Sequence, residues 1–206
     1  MAKVGVTILD ADFGNLQAEV DKVENADFIH FDIMDGHFVD NLSFGPHVVE
    51  CIKTKLKKVV HLMVEQPERY VERFIAAGAD EIILHLESTE MLDELIDKIH
   101  KKKVKVGLAI NPETKIHWLR YYFDKVERIL VMTVEPGLGG QPFMYEMLDK
   151  ITEIRDESRI SIAVDGGMDE KTAKMCVLAG ADVIVSGSFV FGSPDTHKAV
   201  EVLKKL

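Results

Sequence analysis

Residues 77–84 read Ala-Gly-Ala-Asp-Glu-Ile-Ile-Leu, and residues 179–186 read Ala-Gly-Ala-Asp-Val-Ile-Val-Ser. In each, the glycine suits the end of a helix. The apolar run that follows does not alternate with polar residues, as a parallel strand covered on both faces requires. Similar runs lie near residues 4–9, 27–33, 58–63, 104–110, 128–134 and 160–164, and with 81–86 and 182–187 they make eight strand candidates. Between most of them, residues 15–25, 67–77, 89–102, 143–156 and 169–179 carry apolar side chains at three- and four-residue spacings, the pattern of amphipathic helices. Pro67 suits a first helical position and Ser88 or Thr89 a helix cap. Eight such alternations predict a (β/α)8 TIM barrel, with residues 1–206 as a single domain; a doubly wound open sheet is the alternative.

The bulk numbers narrow the function classes. A hydrophobic content of 47% in 206 residues supplies one sizeable core. The formal net charge of -10 disfavours nucleic acid and anionic lipid, which bind clustered Lys and Arg, so neither partner is expected. Cys51 and Cys176 have no metal-type spacing and are expected to be buried thiols in a reducing compartment. The N-terminus runs straight into an apolar strand, and no apolar stretch reaches the roughly 18 residues that would span a bilayer. A cytoplasmic protein is expected.

In a parallel barrel, chemistry gathers where strands end and strand-to-helix loops begin. His30 and Asp32, two apart on one strand, share a face; His61 and Asp165 end two further strands. Two imidazoles and two carboxylates form a donor set for one divalent Zn, Mn, Fe or Co ion rather than Ca. His85 and Asn111 also face this rim and are assigned to hydrogen bonding behind the ligands, with plain packing as the alternative. His37, His47, His100, His117 and His197 fall in loops or helices and are read as solvated. Met34, Met63 and Met132, also at strand ends, line a dry pocket or simply fill the core. Three glycine turns, 136–141 (Pro-Gly-Leu-Gly-Gly-Gln), 165–167 (Asp-Gly-Gly) and 186–188 (Ser-Gly-Ser), follow the last three strands. Bare backbone N–H groups there could hold a phosphate, without help from any Lys or Arg in the turns.

These motifs resemble those of the ribulose-phosphate 3-epimerase family nearly end to end. The resemblance runs through Ile8-Leu-Asp-Ala-Asp-Phe13, His30-Phe-Asp-Ile-Met-Asp-Gly-His-Phe-Val39, Asn41-Leu-Ser-Phe-Gly-Pro46, His61-Leu-Met63, Met132-Thr-Val-Glu-Pro-Gly137, Val164-Asp-Gly-Gly167 and Gly187-Ser188. It implies a barrel enzyme with a divalent metal on His30, Asp32, His61 and Asp165. It also implies a ketose phosphate whose phosphate rests on Gly137, Leu138, Gly139, Gly140, Gly166, Gly167, Gly187 and Ser188, with His61 and Asp10 also facing the substrate. The implied reaction interconverts D-ribulose 5-phosphate and D-xylulose 5-phosphate through a metal-stabilised enediolate. Inverting a carbon beside a ketone needs one group to take a proton and another to return it on the opposite face, and Asp32 and Asp165 are assigned as acceptor and donor. Relatives of this kind form homo-oligomers, and the same is expected here.

The chain departs from the family pattern at Asp10, where serine is usual, at Glu135 (asparagine), at Leu138 (an aromatic) and at Asp40 (proline). A third carboxylate beside Asp32 and Asp165 should raise the pKa of the group. These departures bear on the substrate more than on the reaction. Two alternatives therefore stay open: a 3-epimerase of a hexulose 6-phosphate such as allulose 6-phosphate, and a sugar-phosphate-binding relative without turnover. An aldolase or decarboxylase on a phosphate-binding barrel is disfavoured by the paired His and Asp on opposing strands.

Overall fold

The apolar runs pair side by side in chain order and close on themselves. In the computed structural model, which describes residues 1–206, the strands are β1 (Lys3–Thr7), β2 (Phe28–Met34), β3 (Lys57–Met63), β4 (Glu81–His85), β5 (Lys105–Ile110), β6 (Arg128–Met132), β7 (Ser161–Asp165) and β8 (Val183–Ser186). All neighbours are parallel, and β8 returns to β1 with Val4 opposite Ile184, so the sheet is a closed barrel. The doubly wound alternative is thereby excluded.

Alternation along each strand sorts side chains between two cores. Outward residues such as Val6, Phe31, Leu62 and Ile82 pack under the helices in one large cluster. Inward residues Phe28, Val59, Ile83, Ala109, Leu130, Ala163 and Val183 fill the barrel itself, so it is a packed interior and not a channel. Buried Glu81, 2.6 Å from Arg128, closes the end where the strands begin, and Arg128 lies over the Phe28 ring. That polar layer marks the end away from the loops that carry chemistry.

The helices are α1 (Leu16–Asp21), α2 (Pro46–Cys51), α3 (Val71–Ala76), α4 (Leu92–Lys101), α5 (Met147–Glu157), α6 (Glu170–Ala179), α7 (Ser188–Phe191) and α8 (Thr196–Lys204). Pro67 opens a short 3-10 turn before α3, as its fixed φ suits, and Gly180 ends α6 in the left-handed region at φ 117°. Asp169 and Thr172 cap α6 reciprocally.

Three expectations are corrected. Neither Ser88 nor Thr89 caps α4: Met91 holds that position, while Ser88 donates to the His85 carbonyl and Thr89 accepts from the Met91 N–H. Cys176 is buried, but Cys51 is exposed, because α2 turns only Val49 fully inward and leaves the Cys51 face to solvent. The helical stretches at 15–25 and 67–77 contain six-residue α-helices, extended by turns and 3-10 segments. No helix is long and apolar enough to cross a membrane.

Candidate active site

Register delivers the four candidate ligands to one place. Asp32 on β2 pairs with His61 on β3, Thr7 on β1 with His30, and Met132 on β6 with Asp165 on β7, all at the strand ends where the loops emerge. One donor atom from each of His30, Asp32, His61 and Asp165 lies within 4.8 Å of the others, and all four residues are buried. His61 Nδ1 is 3.0 Å from Asp32 Oδ1 and 3.9 Å from Asp165 Oδ2. His30 Nε2 is 3.2 Å from Asp32 Oδ1 and 3.4 Å from Asp165 Oδ2, yet neither contact has hydrogen-bond geometry.

A buried imidazole nitrogen aimed between two carboxylates without a hydrogen bond is poorly satisfied by the protein alone. A divalent cation at the same point would satisfy it and both carboxylates together. The mixed nitrogen and oxygen donors suit a borderline metal. This cluster could hold a metal ion.

The two carboxyls are held in opposite states. Burial opposes the charge on Asp32, but His30 and His61 beside it outweigh burial and keep its pKa well below the ordinary range. Thr7 Oγ1 also donates to Asp32 Oδ2. Asp165 has the reverse balance: burial, reinforced by the charge of Asp32, pushes it up to about 7. Burial likewise drives His61 down to about 4, which favours the neutral imidazole that ligates metals. For His30 burial lowers the pKa, and the adjoining Asp32 and Asp165 charges raise it by more.

Behind the ligands runs a second row. His61 Nε2 is 2.8 Å from His85 Nε2, and His85 Nδ1 is 3.3 Å from Glu87 Oε2. Thr114 Oγ1 and the Asn111 N–H both donate to Glu87 Oε1. His85 thus takes the supporting place expected of it. Asn111 joins the row through its backbone N–H alone: its side-chain oxygen has no hydrogen-bond partner, and its carbonyl accepts from Lys150. Reading the sequence missed Thr7 and Glu87. Thr7 is one polar residue closing an apolar run, and only the pairing of β1 with β2 reveals that it meets Asp32. Glu87, two residues past His85, could have been found as a carboxylate beside a strand-end imidazole.

The pocket above the cluster is lined by Asp10, Asp32, Asp165, the three methionines Met34, Met63 and Met132, and Gly137, Leu138, Gly139, Gly140, Gly166, Gly167, Gly187 and Ser188 of the glycine turns. His30 and His61 lie beneath it, fully buried. The turns are shaped by close approach. Gly167, at φ +65°, brings its Cα so near Phe143 that a Cβ would sit 2.8 Å from the Phe143 nitrogen. Asn41 Nδ2 donates to the Gly137 carbonyl, and Gln141 Nε2 to those of Glu135 and Leu138, which ties the longest turn in place. Leu138 is 64% exposed at the mouth, and Glu135 faces an outer groove with Asp40. The other five histidines, His37, His47, His100, His117 and His197, are exposed, as expected.

Comparison with known proteins agrees with this geometry. The model of the Ribulose-phosphate 3 epimerase family matches residues 3–191. The chain belongs to the ribulose-phosphate 3-epimerase family. It is 42% identical to the ribulose-phosphate 3-epimerase of Bacillus subtilis, covering 99% of both chains. It is 39% identical to the cytoplasmic isoform of ribulose-phosphate 3-epimerase from Oryza sativa subsp. japonica, covering 99% of this chain and 93% of that one. Among solved structures, 3-hexulose-6-phosphate synthase from Salmonella typhimurium superposes with a TM-score of 0.76 at 17% identity, covering 98% of this chain and 97% of that chain. At that identity the likeness concerns the fold alone. Asp10 adds a third carboxylate to the pocket lining, beside Asp32 and Asp165.

Proposed function

We propose that this protein is a metal-dependent ketose-phosphate 3-epimerase that interconverts D-ribulose 5-phosphate and D-xylulose 5-phosphate. The observation that carries the reading is the pair Asp32 and Asp165. Two buried carboxyls from strands across the barrel converge on one point, where burial and the charge of Asp32 raise the pKa of Asp165 and set the two groups apart. Inversion at C3 requires that combination, one group ready to accept a proton and one ready to give it. Asp32 takes the C3 proton, Asp165 returns one to the opposite face, and the roles exchange in the reverse direction. Each positioned carboxyl contributes about 10^2 to 10^4-fold.

His30, Asp32, His61 and Asp165 would hold one Zn, Mn, Fe or Co ion. A bound divalent ion supplies Lewis-acid stabilisation of the negative charge that develops on the ketose oxygens, of the order of several kcal/mol. Thr7 keeps the Asp32 carboxylate oriented, and the thioethers of Met34, Met63 and Met132 keep water from the reacting carbon. The phosphate rests on the backbone N–H groups of the turns at 137–140, 166–167 and 187–188. On this reading the protein acts in the cytoplasm as a homo-oligomer.

Leu138 favours a second reading. It is smaller than an aromatic and turned outward at the mouth, leaving length for a hexulose 6-phosphate such as allulose 6-phosphate. A single assay separates the readings: purified protein with added Mn2+, Zn2+ or Fe2+, offered each sugar phosphate, with products resolved by NMR. Faster conversion of ribulose 5-phosphate supports the first reading, and faster conversion of the hexulose supports the second. Binding without conversion of either would leave the chain a non-catalytic relative.

A further inference from the structure

Asp10 lies just past β1, yet its carboxylate reaches across the pocket mouth to the loops that follow β6 and β8. A Cβ on Gly139 would strike Asp10 Oδ1, and one on Gly187 would lie 2.8 Å from Asp10 Oδ2. The protein's own anion therefore lies against two of the backbone positions to which the proposed function assigns the substrate's phosphate.

We propose that Asp10 is a specificity-determining residue that competes with the substrate's phosphate for its seat on Gly139 and Gly187. This inference rests on the phosphate reading of those turns. A phosphate seated over Gly139 and Gly187 would need the space that the Asp10 carboxylate fills, and two anions cannot share it without strong repulsion. Entry of the phosphate requires the Asp10 side chain to rotate away. No Lys or Arg lines the pocket, so no basic side chain there relieves the repulsion. The consequence is selective. Binding energy from the metal-facing end of the sugar must offset the displacement, so a bare phosphate monoester binds weakly while a full ketose phosphate still seats. Burial, with the charge of Asp32 behind it, raises the Asp10 pKa.

The test uses glycerol 3-phosphate, a phosphate monoester without a ketone, titrated into metal-loaded wild type, Asp10→Asn and Asp10→Ser, with the Gly139 and Ser188 amide signals followed by NMR. Asparagine keeps the size and removes the charge, and serine removes both. The expected result is a Kd about ten-fold tighter in both variants, a conservative share of the Coulomb repulsion between a partly exposed carboxylate and a phosphate. KM for ribulose 5-phosphate should fall in Asp10→Ser by more than kcat changes. Tightening in the serine variant alone also supports competition and assigns it to volume. Equal affinity in all three proteins, with both amides shifting, overturns the inference while leaving the phosphate reading intact. Weaker binding in the variants overturns it as well, since Asp10 would then assist the ligand. Amides that shift in none of the three would end the phosphate reading, and this inference with it.

Discussion

His85 Nε2 lies 2.8 Å from His61 Nε2, inside the barrel and on the side of His61 away from Asp32. Glu87 at 3.3 Å accepts from His85 Nδ1–H, which leaves His85 Nε2 to accept from His61 Nε2–H. His61 Nδ1 would then offer its lone pair on the side of Asp32 and Asp165 when a cation takes the place of its 3.0 Å hydrogen bond to Asp32 Oδ1. The row Glu87, His85, His61 thus sets the tautomer a metal ligand needs, and burial of His61 keeps it neutral. Both Glu87→Gln and His85→Ala should lower divalent-metal affinity by about 10 to 100-fold. Competition titration against a chelator of known affinity measures this, and unchanged affinity would remove the row from the account.

The carboxyl pair predicts a sharper loss. Asp32→Asn and Asp165→Asn should each lower kcat by at least about 10^2-fold, since each removes one of the two proton-transfer groups. Metal content must be measured beside activity, because both residues also face the ion. An Asp165→Asn protein that keeps its metal and still epimerises at the wild-type rate would refute the assignment of roles.

Asp165 should also make the metal-free protein's stability depend on pH. Burial, then the charge of Asp32, raises its carboxyl from 3.8 to about 7, so the folded chain retains a proton that the unfolded chain releases. Its contribution is complete below about pH 4 and is lost as pH rises through about 7. His61 runs the opposite way: lowered by burial from 6.5 to about 4, it contributes above 6.5 and loses that contribution as pH falls through 4. Comparing wild type with Asp165→Asn in the presence of chelator isolates the aspartate. The variant should melt higher than wild type above about pH 7 and converge with it near pH 4. A difference that does not vary with pH would contradict the raised pKa.

At the closed end of the barrel, Gly5 matters for space alone. A Cβ there would run into the ring of Phe28, which is buried and covered by Arg128. Gly5→Ala should cost about 1 to 3 kcal/mol by overpacking. The urea midpoint should fall without a change in slope, and a midpoint equal to wild type would show that the Phe28 ring can move aside.

Much of this architecture is legible in the residues. Runs such as Ile82-Ile-Leu84 and Val183-Ile-Val185 are apolar at every position, and that continuity marks strands hidden on both faces. Each strand ends within about two residues of where its run predicts. What escaped is short or depends on distance. α2 spans six residues, Pro46–Cys51, too few to show a helical period, and for that reason the exposure of Cys51 was not foreseen. α8 is a nine-residue helix at the chain's end with no strand after it to bracket it. The clustered residues His30, Asp32, His61 and Asp165 were readable as candidate ligands because each carries a polar group at or near the end of an apolar run. The contact from Thr7 to Asp32 and the reach of Asp10 to Gly139 and Gly187 are products of strand register and loop path, and sequence spacing is silent about both.

The central claim is that Asp32 and Asp165 exchange the proton on C3 of a ketose phosphate, and deuterium incorporation tests it most directly. Metal-loaded wild type incubated with ribulose 5-phosphate in D2O should place deuterium at C3 of both the substrate and its epimer, with no carbon-carbon cleavage, and Asp32→Asn should lose that label. Epimer formed without deuterium at C3, or cleavage of the sugar, would contradict the account.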